Sequence, residues 1–291
     1  MASMGERTAP DSVDLPRQTL RARWVFPVDG PPIEGGIVEV AAGRIAAVGT
    51  SAGTVTRDLD NAAIIPGLVN AHTHLELSDV EAPLAPSRPF TAWLKSVVRH
   101  RRARPTGEEA AGRVLRAGAR ECLLSGTTLV GDIVSNEWSE ELVASTGPCQ
   151  IAFLELLGLS PDRIEPQLAR AREHLQPGTE GVRQPSAGRP VRALSPHAPY
   201  SVHPQLFAGL VGLAGEFRVP LAMHLAESRG ERELVEQGTG EFVDFLKDLG
   251  VWQPAAIPSG ARILDYLREL AGLSRALVVH GNYLTDEEQE F

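Results

Sequence analysis

The chain has 291 residues with 28 Lys and Arg against 37 Asp and Glu, which gives a formal net charge of −9 and a pI near 5.4. This balance argues against a nucleic-acid-binding or anionic-membrane surface, because both need clustered positive charge. With 43% apolar and 22% charged residues, the composition is that of a globular protein. Cys122 and Cys149 are the only cysteines, so we expect no disulfide framework and a cytoplasmic location.

The N-terminal part of the chain is predicted to be an extension followed by a small β unit. Residues 1–17 lack an apolar core, so we expect a disordered extension. Residues 18–62 alternate apolar and polar side chains between turn signals such as Asp29-Gly30-Pro31, which is typical of half-buried strands and hairpins. We therefore expect a small β-sandwich portion, which is too short to bury much core by itself.

Residues 63–291 show a different pattern, in which apolar runs alternate with helical stretches. The six apolar runs are AAIIPGLVNAH, TTLVGDIV, CQIAFLELLG, VRALSPH, PLAMHLAE and RALVVHGNYL. Helical stretches such as 90–104 and 106–124 lie between them. This alternation predicts βαβ units and a parallel α/β sheet. The most apolar run, 151–159, is far shorter than the ~20 residues of a membrane span.

Polar residues lie at the carboxyl ends of these predicted strands. They are His72, His74, Asp132, His197, His224, Glu227 and His280. In (β/α)8 barrels the catalytic residues collect at that rim and come from several different strands. Histidine at the ends of four of the six strands is difficult to explain by packing alone, so the pattern predicts a metal site.

The pair His72 and His74 is the first candidate for metal binding. Residues i and i+2 of a strand face the same side, so both imidazoles can reach one ion. The pair alone is a weak signal, because two polar residues at an exposed strand end would look the same. His224 follows buried apolar residues and fits either a core histidine or a third ligand.

Glu227 and the other rim histidines fit proton transfer and substrate binding. A carboxylate beside an activated water can take its proton and deliver it to a substrate nitrogen, although Glu227 also fits a helix N-terminus. His197 and His280 fit the polarisation of a substrate or the orientation of the attacking water. His203, which precedes a proline, fits a helix cap, and Asp132 fits a brace of the rim.

Other kinds of site are not indicated by the sequence. His100 and His174 fall on polar helix faces and are expected to be solvated. The sequence contains no GxxxxGK[ST] phosphate loop and no CxxC pair. Lys95 and Lys247, the only lysines, lie away from strand ends, which argues against a lysine-bridged pair of metal ions.

Four segments taken together resemble a known family. The segments IIPGLVNAHTHLELS, SPHAPYS, MHLAES and VVHGNYLTDEE, in this order, resemble the amidohydrolase superfamily. They are most similar to its cytosine/adenosine-type deaminase and chlorohydrolase branch, and the similarity extends from about residue 19 to the end of the chain. The resemblance implies a (β/α)8 barrel of the TIM type with one divalent metal, usually zinc or iron, flanked by a β-sandwich.

The resemblance also implies roles for the rim residues. His72, His74 and His224 match the metal ligands of the family. Glu227 matches the catalytic glutamate that shuttles a proton, and His280 matches the catalytic histidine that hydrogen-bonds the attacking water. By the same resemblance, zinc is the first candidate for the metal and iron the second.

Two further positions match substrate-binding residues. His197 matches the histidine that contacts the substrate in this branch. HLELS after the histidine pair, together with PFTAWL and its Trp93, is closer to deaminases of 6-aminopurine nucleosides such as aminofutalosine. We therefore expect a metal-dependent aminohydrolase that releases ammonia from an aminated purine nucleoside or a related heterocycle.

Two alternatives to this activity remain open. A chlorohydrolase or a cyclic amidohydrolase of the same fold is the alternative enzyme. An inactive truncated remnant or a binding protein is the alternative from another class. As partners we expect a small-molecule substrate, with no nucleic acid and no membrane, and a homodimer is left open.

The C-terminal end departs from the family pattern. The fourth protein ligand of the family is an Asp on strand eight, whereas this chain has six strand candidates. Thr285 and Glu288 fit a capping box, so a short helix is expected after the sixth strand. We therefore expect residues 63–291 to form an incomplete barrel, from a longer enzyme of which this chain is roughly the first two-thirds.

Overall fold

The computed structural model describes residues 16–51, 53–105, 107–135, 138, 147–176, 189–257 and 260–291. The chain forms two compact units, Met1–Gly67 and Leu68–Phe291. Residues 1–15 of the expected N-terminal extension lie outside the described residues, whereas Arg17 forms an ion pair with Glu39. The division into an extension, residues 18–62 and residues 63–291 stays a prediction. No helix in the described ranges is long and apolar enough to cross a membrane.

The first unit contains two small sheets. In one, β1 (Gln18–Arg21) pairs with β4 (Ile37–Ala41) and β6 (Arg57–Asp58), and β4 also pairs with β5 (Arg44–Gly49). The other sheet is formed by β2 (Trp24–Val25), β3 (Ile33–Glu34) and β7 (Ala63–Ile64). Ala42 and Gly43 join β4 to β5 with φ of 48° and 70°, the left-handed values of a two-residue hairpin turn. The predicted small N-terminal β structure is confirmed.

The second unit is built on a six-stranded parallel sheet. Its strands are β8 (Leu68–Thr73), β9 (Thr127–Val134), β10 (Cys149–Leu156), β11 (Val191–Pro196), β12 (Leu221–Leu225) and β13 (Ala276–His280). Each strand pairs in parallel with the next one along the chain. Sequential parallel pairing is the arrangement of a (β/α)8 barrel, so the predicted incomplete barrel of about six βα units is confirmed.

Helices connect these strands. They are α1 (Phe90–Ala103), α2 (Glu108–Leu124), α3 (Ile164–Leu175), α4 (Pro204–Phe217), α5 (Arg229–Gln237), α6 (Glu241–Asp248), α7 (Ile263–Ala271) and α8 (Asp286–Glu290). The predicted cap of α4 is confirmed, because Nδ1 of His203 accepts a hydrogen bond from the backbone N–H of Gln205 at 3.1 Å. The predicted capping box of Thr285 and Glu288 begins α8.

The alternation of side chains along the buried strands decides which residues face the inside of the sheet. On β12, Leu221 and Met223 belong to a buried cluster shared with α3 and α4. Ala222 belongs instead to a cluster whose other members come from the strands β9, β10, β11 and β13. His224 lies two residues after Ala222 and therefore faces the same side. His224 therefore points away from α3 and α4.

Candidate metal and catalytic site

A cavity of about 730 Å³ lies at the carboxyl ends of the strands in the second unit. All the predicted metal, catalytic and substrate-binding residues line it, namely His72, His74, Trp93, His197, His224, Glu227 and His280. These residues are up to 208 positions apart along the chain (280 minus 72), and sequential strand pairing brings them together. Asp132 does not line this cavity.

Four of the histidines form a tight group. The ring of His72 lies 5.0 Å from that of His74, 4.8 Å from that of His224 and 5.4 Å from that of His280, measured between centroids. One side-chain nitrogen each from His72, His224 and His280 lies within 4.8 Å of the other two. A second group of the described residues, Glu155, His197 and His224, meets the same limit. His74 belongs to neither group, although its ring is 5.7 Å from that of His224. The structure therefore brings His280 as near to the group as the predicted ligand His74.

His72, His74 and His224 each have one ring nitrogen whose lone pair can bind a metal ion. Burial lowers the pKa of His72 to about 4 and the pKa values of His74 and His224 to about 3, so all three imidazoles are neutral near pH 7. The Nδ1 atom of His224 lies 2.9 Å from the carbonyl oxygen of His197, to which the neutral ring donates. This contact leaves Nε2 of His224 as the free acceptor.

The donor set fits a divalent metal ion. Nδ1 of His72 and Nδ1 of His74 are buried and have no hydrogen-bond partner, which is costly for a polar atom unless something binds there. Neutral imidazole is a common ligand of zinc, copper, iron and nickel, and its second ring nitrogen is held by a backbone carbonyl at many such sites. His72, His74, His224 and His280 could therefore hold one ion between them.

Glu227 and His280 meet across the ends of two adjacent strands. Nε2 of His280 lies 3.1 Å from Oε1 of Glu227. His280 has a φ of 70°, so the chain turns sharply where β13 ends, and the imidazole lines the cavity although it directly follows the inward-facing Val279. Burial raises the pKa of Glu227 to about 7, and the neighbouring Glu231 carboxylate adds to the rise. A carboxyl group with this pKa can accept and return a proton near neutral pH.

His197 is half-buried beside polar groups from several elements. Its Nδ1 atom lies 2.6 Å from Oγ of Ser201, and its Nε2 atom lies 3.8 Å from Oε1 of Glu155. Burial lowers the pKa of His197 to about 3, so its ring is also neutral. Arg101 of α1 donates to Oε2 of Glu155 at 3.2 Å and contacts Glu76 at 2.7 Å. His197 is thus a neutral hydrogen-bonding group held at the cavity wall.

Glu155 is a cavity residue that sequence reasoning missed. It lies in β10, within the apolar run 151–159, and was not among the predicted site residues. The side chain is 4% exposed, and its Oε1 atom has no hydrogen-bond partner. A charged residue near the carboxyl end of a buried strand was the signal that could have identified it, because such a residue needs a partner at the rim.

Part of the cavity lining is apolar. It is formed mainly by side chains of two helices, namely Trp93, Leu94, Val97 and Val98 of α1 and Phe245 and Leu246 of α6. The two helices contact one another through Oγ1 of Thr91, which donates to Oε2 of Glu241 at 2.7 Å. Trp93, predicted to bind substrate, therefore contributes an aromatic surface to the same cavity as the histidines.

Asp132 lies beneath the rim and supports it. The side chain is fully buried and accepts hydrogen bonds from the backbone N–H of Leu75 at 2.9 Å and from Nε2 of Gln150 at 2.7 Å. Leu75 directly follows His74, so Asp132 contacts the segment that carries the histidine pair. Burial raises the pKa of Asp132 to about 8. The residue is therefore a structural contact of the rim and not part of the cavity surface.

Comparison with known proteins now places the chain in a family. Residues 63–290 match the family model described as the amidohydrolase family. The chain belongs to the amidohydrolase family. This confirms the family predicted from the four sequence segments, and the matched range includes every strand of the parallel sheet.

Curated relatives of this amidohydrolase carry deaminase names. It is 29% identical over 232 residues to an aminodeoxyfutalosine deaminase of Nitratiruptor, with 79% of this chain and 54% of the relative covered. It is 29% identical over 261 residues to a 5-methylthioadenosine/S-adenosylhomocysteine deaminase of Syntrophobacter fumaroxidans, with 87% and 59% covered. The chain therefore spans little more than half the length of these relatives.

Solved structures share the amidohydrolase fold. The aminofutalosine deaminase of Helicobacter pylori, in complex with methylthio-coformycin, superposes with a TM-score of 0.74 at 24% identity, covering 93% of this chain and 65% of that one. The atrazine chlorohydrolase of Arthrobacter aurescens, complexed with zinc, gives a TM-score of 0.58 at 20% identity, covering 80% and 58%. At these identities the likeness concerns the fold.

Proposed function

We propose that the protein is a metal-dependent aminohydrolase that releases ammonia from an aminated purine nucleoside or a related heterocycle. The observation that carries this proposal is the convergence of neutral histidine nitrogens beside the Glu227 carboxyl group in one cavity. The deaminase names of the curated relatives support the same reaction class. Because the chain covers only part of those relatives, the activity of the whole protein is part of the proposal.

His72, His74 and His224 are the proposed ligands of one divalent ion, with zinc the first candidate and iron the second. The free nitrogens on neutral rings support this assignment, and a catalytic zinc site commonly has three protein ligands and one open position. When bound, such an ion supplies Lewis acidity that makes water a nucleophile near neutral pH. The histidines themselves fix the position of the ion relative to Glu227.

Glu227 is the proposed general base and acid. Its carboxylate takes a proton from the attacking water while the new carbon–oxygen bond forms at the amine-bearing carbon, and it delivers that proton to the adjacent ring nitrogen. The hydroxyl group formed at that carbon then gives up its proton to the amine, the carbon–nitrogen bond breaks, and ammonia leaves while the oxygen stays as a carbonyl. His280, 3.1 Å from Glu227, forms a hydrogen bond with the attacking water, as donor or acceptor, and keeps the carboxylate oriented.

His197 and Trp93 are the proposed substrate contacts. His197 lies on the histidine side of the cavity, where a neutral ring nitrogen can form a hydrogen bond to the heterocycle. Trp93 lies in the apolar wall and offers a face for stacking or for an apolar substituent. A substrate with one polar, aminated end and one apolar end matches this division of the cavity.

Ammonia and chloride release from matched substrates test the proposal. The purified protein is stripped with a chelator, reloaded with zinc, and supplied with a 6-aminopurine nucleoside, the corresponding 6-chloropurine nucleoside and a cyclic amide. We expect ammonia release from the aminated compound in the reloaded protein only. Faster chloride release or ring opening would assign the site to the alternative enzymes. Zinc binding without turnover of any of the three compounds would support a binding protein instead.

A further inference from the structure

The turn that follows β12 carries Glu227 into the cavity. Ala226, the residue before Glu227, has a φ of 53°, in the left-handed region that residues other than glycine seldom adopt. Such a conformation persists only when its surroundings hold it in place. The position of the Glu227 side chain therefore depends on what fixes this turn.

Glu231 fixes the turn through two backbone hydrogen bonds. The N–H of Ala226 donates to Oε1 of Glu231, and the N–H of Glu227 donates to Oε2, both at 2.8 Å. Each carboxylate oxygen thus binds one of two consecutive amides. On the other side of the turn, Nδ2 of Asn282 donates to the carbonyl oxygen of Glu227 at 3.3 Å. The backbone of Glu227 is held at both its N–H and its C=O.

Because Glu231 is buried, these hydrogen bonds are the main interactions that offset the lost hydration of its carboxylate. Glu231 has no solvent exposure, and no ion pair joins it to a cation among the described residues. Its own N–H donates to Oγ of Ser228, the cap of α5, at 3.1 Å. A buried carboxylate must be balanced by a cation or by hydrogen bonds to its oxygens, and here the turn amides supply that balance.

We propose that Glu231 is a positioning residue that holds Glu227 against His280 and toward the reacting atoms. Its consequence for turnover rests on the proposed function, whereas its contact with the turn does not. A general acid and base works only when it is held within a narrow range of positions. Loosening the turn therefore lowers the rate of the catalytic step more than it weakens substrate binding.

The variant Glu231→Gln tests this role, with Glu233→Gln on the same helix as the matched control. The amide retains one acceptor oxygen and presents an NH2 group to the other backbone N–H, so one of the two hydrogen bonds is lost. We expect kcat to fall by at least roughly tenfold with KM changed by less than about threefold and with bound zinc unchanged. The Glu233→Gln variant, whose carboxylate contacts Thr239, should stay within about twofold of wild type.

A double-mutant cycle with Glu227→Gln separates positioning from general destabilisation. If Glu231 acts through Glu227, adding Glu231→Gln to Glu227→Gln causes no further loss of the residual turnover. If the two losses multiply, the effect of Glu231 is independent of Glu227 and the proposal is wrong. If Glu231→Gln does not fold, the milder variant Ser228→Ala serves instead, because it removes the hydroxyl that accepts from the backbone N–H of Glu231. It should lower kcat in the same manner.

Hydrogen exchange of the turn gives a readout that does not depend on catalysis. We expect the Ala226 and Glu227 amides to exchange faster in Glu231→Gln than in wild type or in Glu233→Gln. Unchanged exchange would overturn the positioning role even if turnover falls. Faster exchange in a protein whose wild type deaminates no nucleoside would support the contact and contradict the proposed function, so the two failures are distinguishable.

Discussion

The Nε2 atom of His280 lies 3.1 Å from Oε1 of Glu227, although His280 ends β13 and Glu227 lies in the turn after β12. The register of β12 and β13 pairs Leu225 with His280, which brings the turn after β12 alongside the end of β13. The left-handed backbone conformations of Ala226 and His280 then turn both of these segments toward the cavity. One carboxyl group and one imidazole are thereby available to a single water molecule.

Replacing His280 with Asn removes the imidazole while keeping the backbone turn, because Asn tolerates left-handed φ better than most residues. We expect turnover to fall by roughly 10²–10⁴-fold, the usual contribution of a proton-transferring group, with bound metal retained. Elemental analysis and ammonia release measure the two effects. His203→Asn is the control, since Asn also caps helices well. Loss of metal from His280→Asn would instead make His280 a ligand, in agreement with its place beside His72 and His224.

Removing either histidine of the β8 pair should abolish tight metal binding. His72→Ala and His74→Ala each delete one of the proposed ligands, and three-ligand catalytic sites lose much of their affinity with any one of them. His74→Ala is the more informative variant, because His74 lies outside the group formed by His72, His224 and His280. Unchanged metal content in both variants, against the same His203→Asn control, would contradict the site.

Asp132 should make the protein less stable as the pH rises. Burial raises the pKa of Asp132 from 3.8 to about 8, so between these values the folded chain keeps a proton that the unfolded chain has lost. Stability then falls with increasing pH by up to about 1.4 kcal/mol per unit. The variant Asp132→Asn lacks this dependence and keeps the hydrogen bond from Leu75, and Gln150 can turn its unpartnered Oε1 toward the new amide.

Urea unfolding at about pH 5 and about pH 7.5 measures this difference. We expect Asp132→Asn to gain stability relative to wild type as the pH increases. Asp244→Asn, at an exposed position of α6, is the control and should follow wild type at both values. Equal pH dependence in wild type and Asp132→Asn would contradict the raised pKa of Asp132.

The sequence predicted the parts of the structure that depend on local pattern. Six apolar runs became six parallel strands, and the histidines after them reached one cavity because carboxyl ends of parallel strands share one rim. Glu231 was missed because its role depends on two amides that only the turn after β12 brings to it. No periodicity in the sequence encodes the left-handed φ of Ala226.

His174 shows the opposite kind of error. It was expected to fall on a polar helix face and to be solvated, yet it is half-buried, and its Nε2 atom lies 3.3 Å from the carbonyl oxygen of Ala152. The prediction was wrong because α3 packs on β10, and a histidine next to the buried Leu175 can reach a strand carbonyl at the edge of that interface. Polarity of neighbours in sequence does not report such contacts.

Trp93→Ala should weaken substrate binding more than it slows the catalytic step. Stacking of a base on an aromatic side chain contributes about 1–3 kcal/mol, which corresponds to roughly 5- to 150-fold in affinity. We expect KM for a 6-aminopurine nucleoside to rise within that range while kcat changes by less than about threefold. Trp93→Phe keeps an aromatic face and should recover most of the loss. A fall in kcat with KM unchanged would contradict the assignment of Trp93 to substrate binding.

The proposed proton transfer through Glu227 is tested most directly by the rate of ammonia release per bound zinc ion, compared between wild type and Glu227→Gln. The substitution keeps the shape of the side chain and removes its capacity to accept and return a proton. We predict that both proteins bind the same amount of zinc and that wild type releases ammonia from a 6-aminopurine nucleoside at least about 100-fold faster. Turnover by Glu227→Gln within about tenfold of wild type, at equal zinc content, would contradict the proposed proton transfer through Glu227.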